Sequence, residues 1–75
     1  MNGTKLRILL PSSVITRFNY DTDKLVLRIV FASGMVYDYL NVPQHINQAM
    51  KNAFSKGIYF NQHIKNYYSF KKISE

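Results

Sequence analysis

The chain has 75 residues, 10 lysines and arginines against 4 aspartates and glutamates, and a pI near 9.8, which leaves room for one small domain and excludes a second. A hydrophobic content of 47% supplies a core and excludes global disorder, while the lack of cysteine excludes disulfides, a thiolate nucleophile and cysteine metal sites. The basic excess is uneven: no acid lies between Tyr39 and Ser74, a stretch with five lysines. Such clustering fits a phosphate-rich partner as well as simple solubility.

In chain order, the apolar run Ile8–Leu10 is too short for a signal-peptide core or a membrane span. A soluble, cytoplasmic protein is expected, with no membrane partner, and Leu6–Leu10 is a candidate for an extra strand. "VITRFNYDTDKLVLRIVF" alternates apolar residues on both sides of Asp21-Thr22-Asp23-Lys24 and predicts a β-hairpin. Pairing Tyr20 with Leu25 sets Phe18 against Leu27, Thr16 against Ile29 and Val14 against Phe31, with Arg17 opposite Arg28 on the reverse face.

The next strand, "MVYDYL", returns after Ala32-Ser33-Gly34. A two-residue turn would pair Ile29 with Asp38 and place a carboxylate on the apolar face, where an unpaired charge costs several kcal/mol. A three-residue turn with Gly34 in a left-handed conformation pairs Ile29 with Tyr37, Leu27 with Tyr39 and Arg28 with Asp38. That register is favoured, and it turns Tyr37 and Tyr39 toward the core or its rim. Base stacking by these rings on an exposed sheet is the alternative.

Pro43 then opens a helix whose apolar face is Ile46, Ala49, Met50, Ala53 and Phe54, with Gly57 as its stop. Gln44, His45, Asn47, Gln48, Lys51 and Asn52 form its polar face. Phe60, Ile64 and Tyr67 are spaced for a second short helix capped by Asn61, and "SFKKISE" reads as an extended or frayed tail. The expected fold is α+β: a three-stranded antiparallel meander, with an N-terminal fourth strand as an option, and two helices on one sheet face. The other face would expose Ile15, Val26, Val30, Val36 and Leu40, an apolar surface that the N-terminal segment or a second copy could cover. A homodimer suits a chain this short, because ordering it costs on the order of 1.5 kcal/mol per residue, which burial only about balances.

These elements carry a resemblance. "SSVI", "FNYD", the Leu25–Phe31 strand, Gly34, the Tyr37-x-Tyr39 pair, "NVP" and "SKGIYFNQHIKNYY" follow one another as in the KTSC domain, found at the C-terminus of some lysyl-tRNA synthetases and in stand-alone bacterial and phage proteins. The resemblance spans residues 12–73 and leaves 1–11 as an N-terminal extension. It implies no established active site, only a suggestion of RNA binding. Its motif residues here are Gly34, Tyr37, Tyr39, Pro43, Ser55, Gly57, Tyr59, Phe60 and Asn61, which turns and core packing account for as readily as function does.

The candidate nucleic-acid residues are Lys51, Lys56, Lys65, Lys71 and Lys72, interleaved with Tyr59, Tyr67 and Tyr68, with Arg17 and Arg28 as additions. Lysines neutralise phosphates and aromatic rings stack on bases without demanding a sequence. The expected partner is therefore RNA, as tRNA or as a single strand, bound mainly through phosphates. The competing reading is a protein-interaction or self-association module using Val26, Val30, Val36 and Leu40.

His45 and His63 lie 18 residues apart with no acidic companion at ligand spacing, so no metal is expected. No acid–base pair, nucleophile motif or phosphate loop appears, so neither an enzyme nor a cofactor is expected. The tail "HIKNYYSFKKI" mixes cations and aromatics as membrane-surface segments do. Its length is marginal, and Tyr67 and Phe70 are expected to fold back on the domain.

Overall fold

The first hairpin is closed by Asp21, whose Oδ1 accepts the backbone N–H groups of Asp23 and Lys24, both at 3.0 Å. In the computed structural model, which describes residues 14–74, β1 (Ile15–Asp21), β2 (Val26–Phe31), β3 (Val36–Tyr39), α1 (Gln44–Asn52), α2 (Lys56–His63) and β4 (Phe70–Ser74) follow in order. The strands form one antiparallel sheet in the order β1-β2-β3-β4. This is the expected α+β class, but the fourth strand comes from the C-terminal tail. The proposed strand at Leu6–Leu10 lies outside the described residues.

The second hairpin has the three-residue register. Leu27 pairs with Tyr39, Arg28 with Asp38 and Ile29 with Tyr37. Gly34 sits at φ +96, its N–H donating to the Phe31 carbonyl at 2.9 Å while the Phe31 N–H reaches Met35 O, also at 2.9 Å. Only a residue without Cβ adopts that φ at little cost.

The first hairpin is two residues out of the expected register, since Tyr20 faces Leu27 and Phe18 faces Ile29. Asp21 stays in the strand, and Leu25 leaves it in a left-handed conformation at φ 58. The Leu25 carbonyl accepts the Val42 N–H at 2.9 Å, so that residue serves the approach to α1 rather than the ladder. A shift of two preserves which face each side chain occupies, so Phe18 and Tyr20 still point inward. The same shift sets Arg17 against Val30 rather than Arg28, and a bulge at Thr16 then reverses the parity toward the strand's start, so that Ile15 faces Phe31 and packs on the core. Thr16 Oγ1 donates to Val30 O at 3.1 Å.

The core lies between the inner sheet face and the helices, where Leu27, Ile29, Phe31 and Tyr39 meet Val42, Met50, Phe60 and Ile64. Pro43 is the N-cap of α1, which ends at an extended Ala53, four residues before Gly57. Ser55, not Asn61, caps α2, its hydroxyl accepting the Ile58 N–H at 3.3 Å. Gly57 is a first-turn residue of α2 and stops nothing. Phe54, expected in the core, is fully exposed between the helices. Tyr67 is 69% exposed and does not fold back, whereas Phe70 does, its ring stacked on Tyr37 at 5.1 Å and 13°.

Candidate nucleic-acid interface

Strand register sorts the charged residues into rows across the outer sheet face, away from the helices. One row runs Asn19, Arg28, Asp38, Lys71, and the next runs Arg17, Val30, Val36, Ser74. Arg28 grips Asp38 with both arms, Nε to Oδ1 at 2.7 Å and Nη2 to Oδ2 at 3.0 Å. That hydrogen bonding, with the attraction of the carboxylate, raises the Arg28 pKa. Asp38 thus lies between Arg28 and Lys71, and the row keeps a surplus positive charge to which Arg17 adds. A shallow basin of about 670 Å³ opens on this side, its walls including Lys24, Arg28, Asp38, Leu40 and Lys71.

The remaining candidates divide by role. Lys56 donates from Nζ to the carbonyls of Ala53 at 2.7 Å and Lys51 at 3.0 Å, so it caps the C-terminus of α1 and its charge is engaged with the helix end. Lys51, Lys65 and Lys72 are exposed, the first at the end of α1, the second after α2 and the third on β4. Tyr59 and Tyr68 pack against the core, and the Tyr59 ring lies 4.4 Å from that of His63. Tyr67 is the one tyrosine of the three with a largely exposed ring. Phe54 and the half-exposed Phe70 are open aromatics that helical periodicity and an expected loose tail concealed.

The motif residues sit mostly in the core, at the turn and at the helix starts. Tyr39 is 2% exposed, edge-on to Phe60 at 5.2 Å, and burial pushes its hydroxyl pKa up to about 12. Tyr37 is half-buried, edge-on to Phe31 at 5.7 Å. Neither ring is free to stack a base. Gly34 forms the turn, Pro43 and Ser55 begin the two helices, and Phe60 is core, while Asn61 is exposed on α2.

A second concavity lies where no site was expected. A groove of about 780 Å³ separates β1 from α1, lined by Phe18, Asn19, Tyr20 and Thr22 on one side and Gln44, His45, Asn47, Gln48 and Lys51 on the other. Five of the six residues assigned to the polar helix face therefore line it. The signal available in the sequence was the amide-rich face of α1 following inward-pointing Phe18 and Tyr20. Among the described residues no three His, Cys, Asp or Glu side chains come together as a metal site, and no helix is long and apolar enough to cross a membrane.

Comparison with known proteins agrees with this architecture. Residues 11–68 match the model of the KTSC domain. A lysine–tRNA ligase from Nostoc punctiforme is 42% identical over 62 residues, which are 83% of this chain but 11% of the ligase. The chain thus spans about a ninth of the length of that relative. An uncharacterized protein from Stutzerimonas stutzeri is 39% identical over 59 residues, covering 79% of this chain and 83% of that one. The crystal structure of a KTSC domain protein from Yersinia pestis superposes with a TM-score of 0.79 at 37% identity, over 87% of this chain and 92% of that one.

Proposed function

The chain belongs to the KTSC domain family, and from that premise we propose that it is a small, non-enzymatic cytoplasmic module that binds RNA weakly, through phosphates more than through bases. The observation that carries the reading is a charge imbalance. The described residues hold eight lysines and arginines, the ten of the chain less Lys5 and Arg7, against three aspartates. Among them a single ion pair forms, Arg28 with Asp38. Arg17 and Lys71 on the sheet exterior, with Lys51, Lys65 and Lys72 elsewhere, present positive charge that a polyanion can neutralise with release of its counterions. Exposed Tyr67, Phe70 and Phe54 add rings for sequence-tolerant stacking. The matching segment in enzymes named for tRNA supports RNA as the polyanion.

Titration of the chain with tRNA and with a single-stranded RNA, read by fluorescence anisotropy, tests this. Binding that weakens steeply as salt rises is expected. An absence of binding even at low salt overturns the reading.

A second reading rests on Val26, Val30, Val36 and Leu40, which are partly exposed on the outer face and belong to no core cluster. These side chains suit self-association or docking of another protein. Sedimentation distinguishes the two: a tight dimer with no RNA affinity favours the second reading, and a monomer that binds RNA favours the first.

A further inference from the structure

We propose that the groove between β1 and α1 holds a single nucleotide, its base against Phe18 and Tyr20, its edge read by the amides of Asn47 and Gln48, and its phosphate beside Lys51. The inference deepens the RNA-binding reading and rests on it for the source of that nucleotide, a single-stranded RNA.

Four observations lead here. The groove, at about 780 Å³, falls within the range of small-ligand sites. Its lining contains no carboxylate and includes Lys51 and His45, so it favours a neutral or anionic guest. Its strand wall is aromatic, since Phe18 and Tyr20 point to the helix side of the sheet, while the helix wall is rich in amides. Amides offer donors and acceptors together, the combination that discriminates base edges.

The fourth observation is Asn47 itself. Its Oδ1 is shielded from solvent and has no hydrogen-bond partner among the described residues. An unpaired acceptor of this kind is costly. The terminal torsion of asparagine is broad, so a modest turn brings that oxygen to the groove, where an exocyclic amine of a base satisfies it. One end of the groove is held in shape: the Tyr20 hydroxyl donates to Val42 O at 2.6 Å, and the Val42 N–H donates to Leu25 O at 2.9 Å, tying β1 and its turn to the segment before α1. A preorganised cleft loses less on binding than one that must form.

The test is amide and side-chain NH₂ chemical-shift mapping of the whole chain with four single-stranded RNA heptamers, each a run of one base, and with the four nucleoside monophosphates. The proposal expects the Asn47 and Gln48 NH₂ signals and the Phe18 amide to move most, with one base preferred. Asn47→Ala and Gln48→Ala should each erase that preference and weaken the preferred RNA by roughly tenfold while leaving the salt dependence unchanged. Phe18→Leu, which keeps an apolar side chain at the core margin, should weaken all four RNAs; if it fails to fold, the two amide variants carry the test alone.

RNA binding with shifts confined to the sheet exterior, and unaffected by the amide variants, overturns the groove while the RNA reading stands. Shifts in the groove with monophosphates but no RNA binding at low salt leave a free-nucleotide site and overturn RNA as its source. No response to either ligand overturns both.

Discussion

Tyr39 joins the sheet to α2 through its ring and also titrates under strain. Burial raises its folded-state pKa to about 12 from the ordinary value of 10.0. Above the unfolded pKa the unfolded chain releases this proton while the folded chain keeps it, so the folded state binds more protons and stability falls with rising pH. The loss begins near pH 10, is complete near pH 12, and is on the order of 2 kcal/mol. Urea denaturation across that window should show it, and Tyr39→Phe should flatten most of it. Gly34 offers a second check. An added Cβ would meet nothing within 4 Å, so Gly34→Ala should cost only backbone strain, roughly 1 kcal/mol. A cost near zero would mean that the loop relaxes and does not fix the register. That register was legible because a charge decided it: Asp38 had one acceptable face. Thr16 gave no such warning, since neither Ile15 nor Thr16 is penalised on either face, and the bulge there was invisible.

The break between the two helices shows where local pattern misleads at the scale of elements. The spacing of Ile46, Met50, Ala53 and Phe54 continues one helical stripe, but Ala53 is extended, and Lys56 from the next helix caps the carbonyls left behind. Nothing in the periodicity distinguishes a stripe that ends at Met50 from one that runs to Phe54. Ser55 was part of the recognised motif and Asn61 was the expected cap, so the two can be compared directly. Ser55→Ala should cost about 1 kcal/mol by removing the bond to the Ile58 N–H, whereas Asn61→Ala, on the exposed side of α2, should stay within about 0.5 kcal/mol. Thermal denaturation of both variants settles the assignment, and equal costs would contradict it. β4 was missed for a related reason. Two adjacent lysines break the alternation of "FKKIS", and the strand is held by the β3 ladder and by the Phe70 ring on Tyr37, both long-range features.

Across the whole molecule, the sheet's exterior and β4 carry the charge while the helix side carries the core. α+β architecture was readable from the order of periodicities, two then 3.6, and the excess of lysine over acid was plain from composition. Their spatial sorting was not, because it depends on which strands neighbour one another: Lys71 joins the Arg28–Asp38 row only once β4 is paired to β3. On the proposed reading, exposed cations such as Lys65 and Lys71 bind RNA phosphates. The most direct measurement is the slope of log affinity against log salt for single-stranded RNA, compared between the natural chain and the Lys65→Glu, Lys71→Glu double variant. A clear negative slope is expected for the natural chain, and for the variant a binding constant weaker by roughly tenfold or more with a slope shallower by roughly 1 to 2 units. Binding absent in the natural chain at low salt, or identical in slope and affinity between the two, would contradict it.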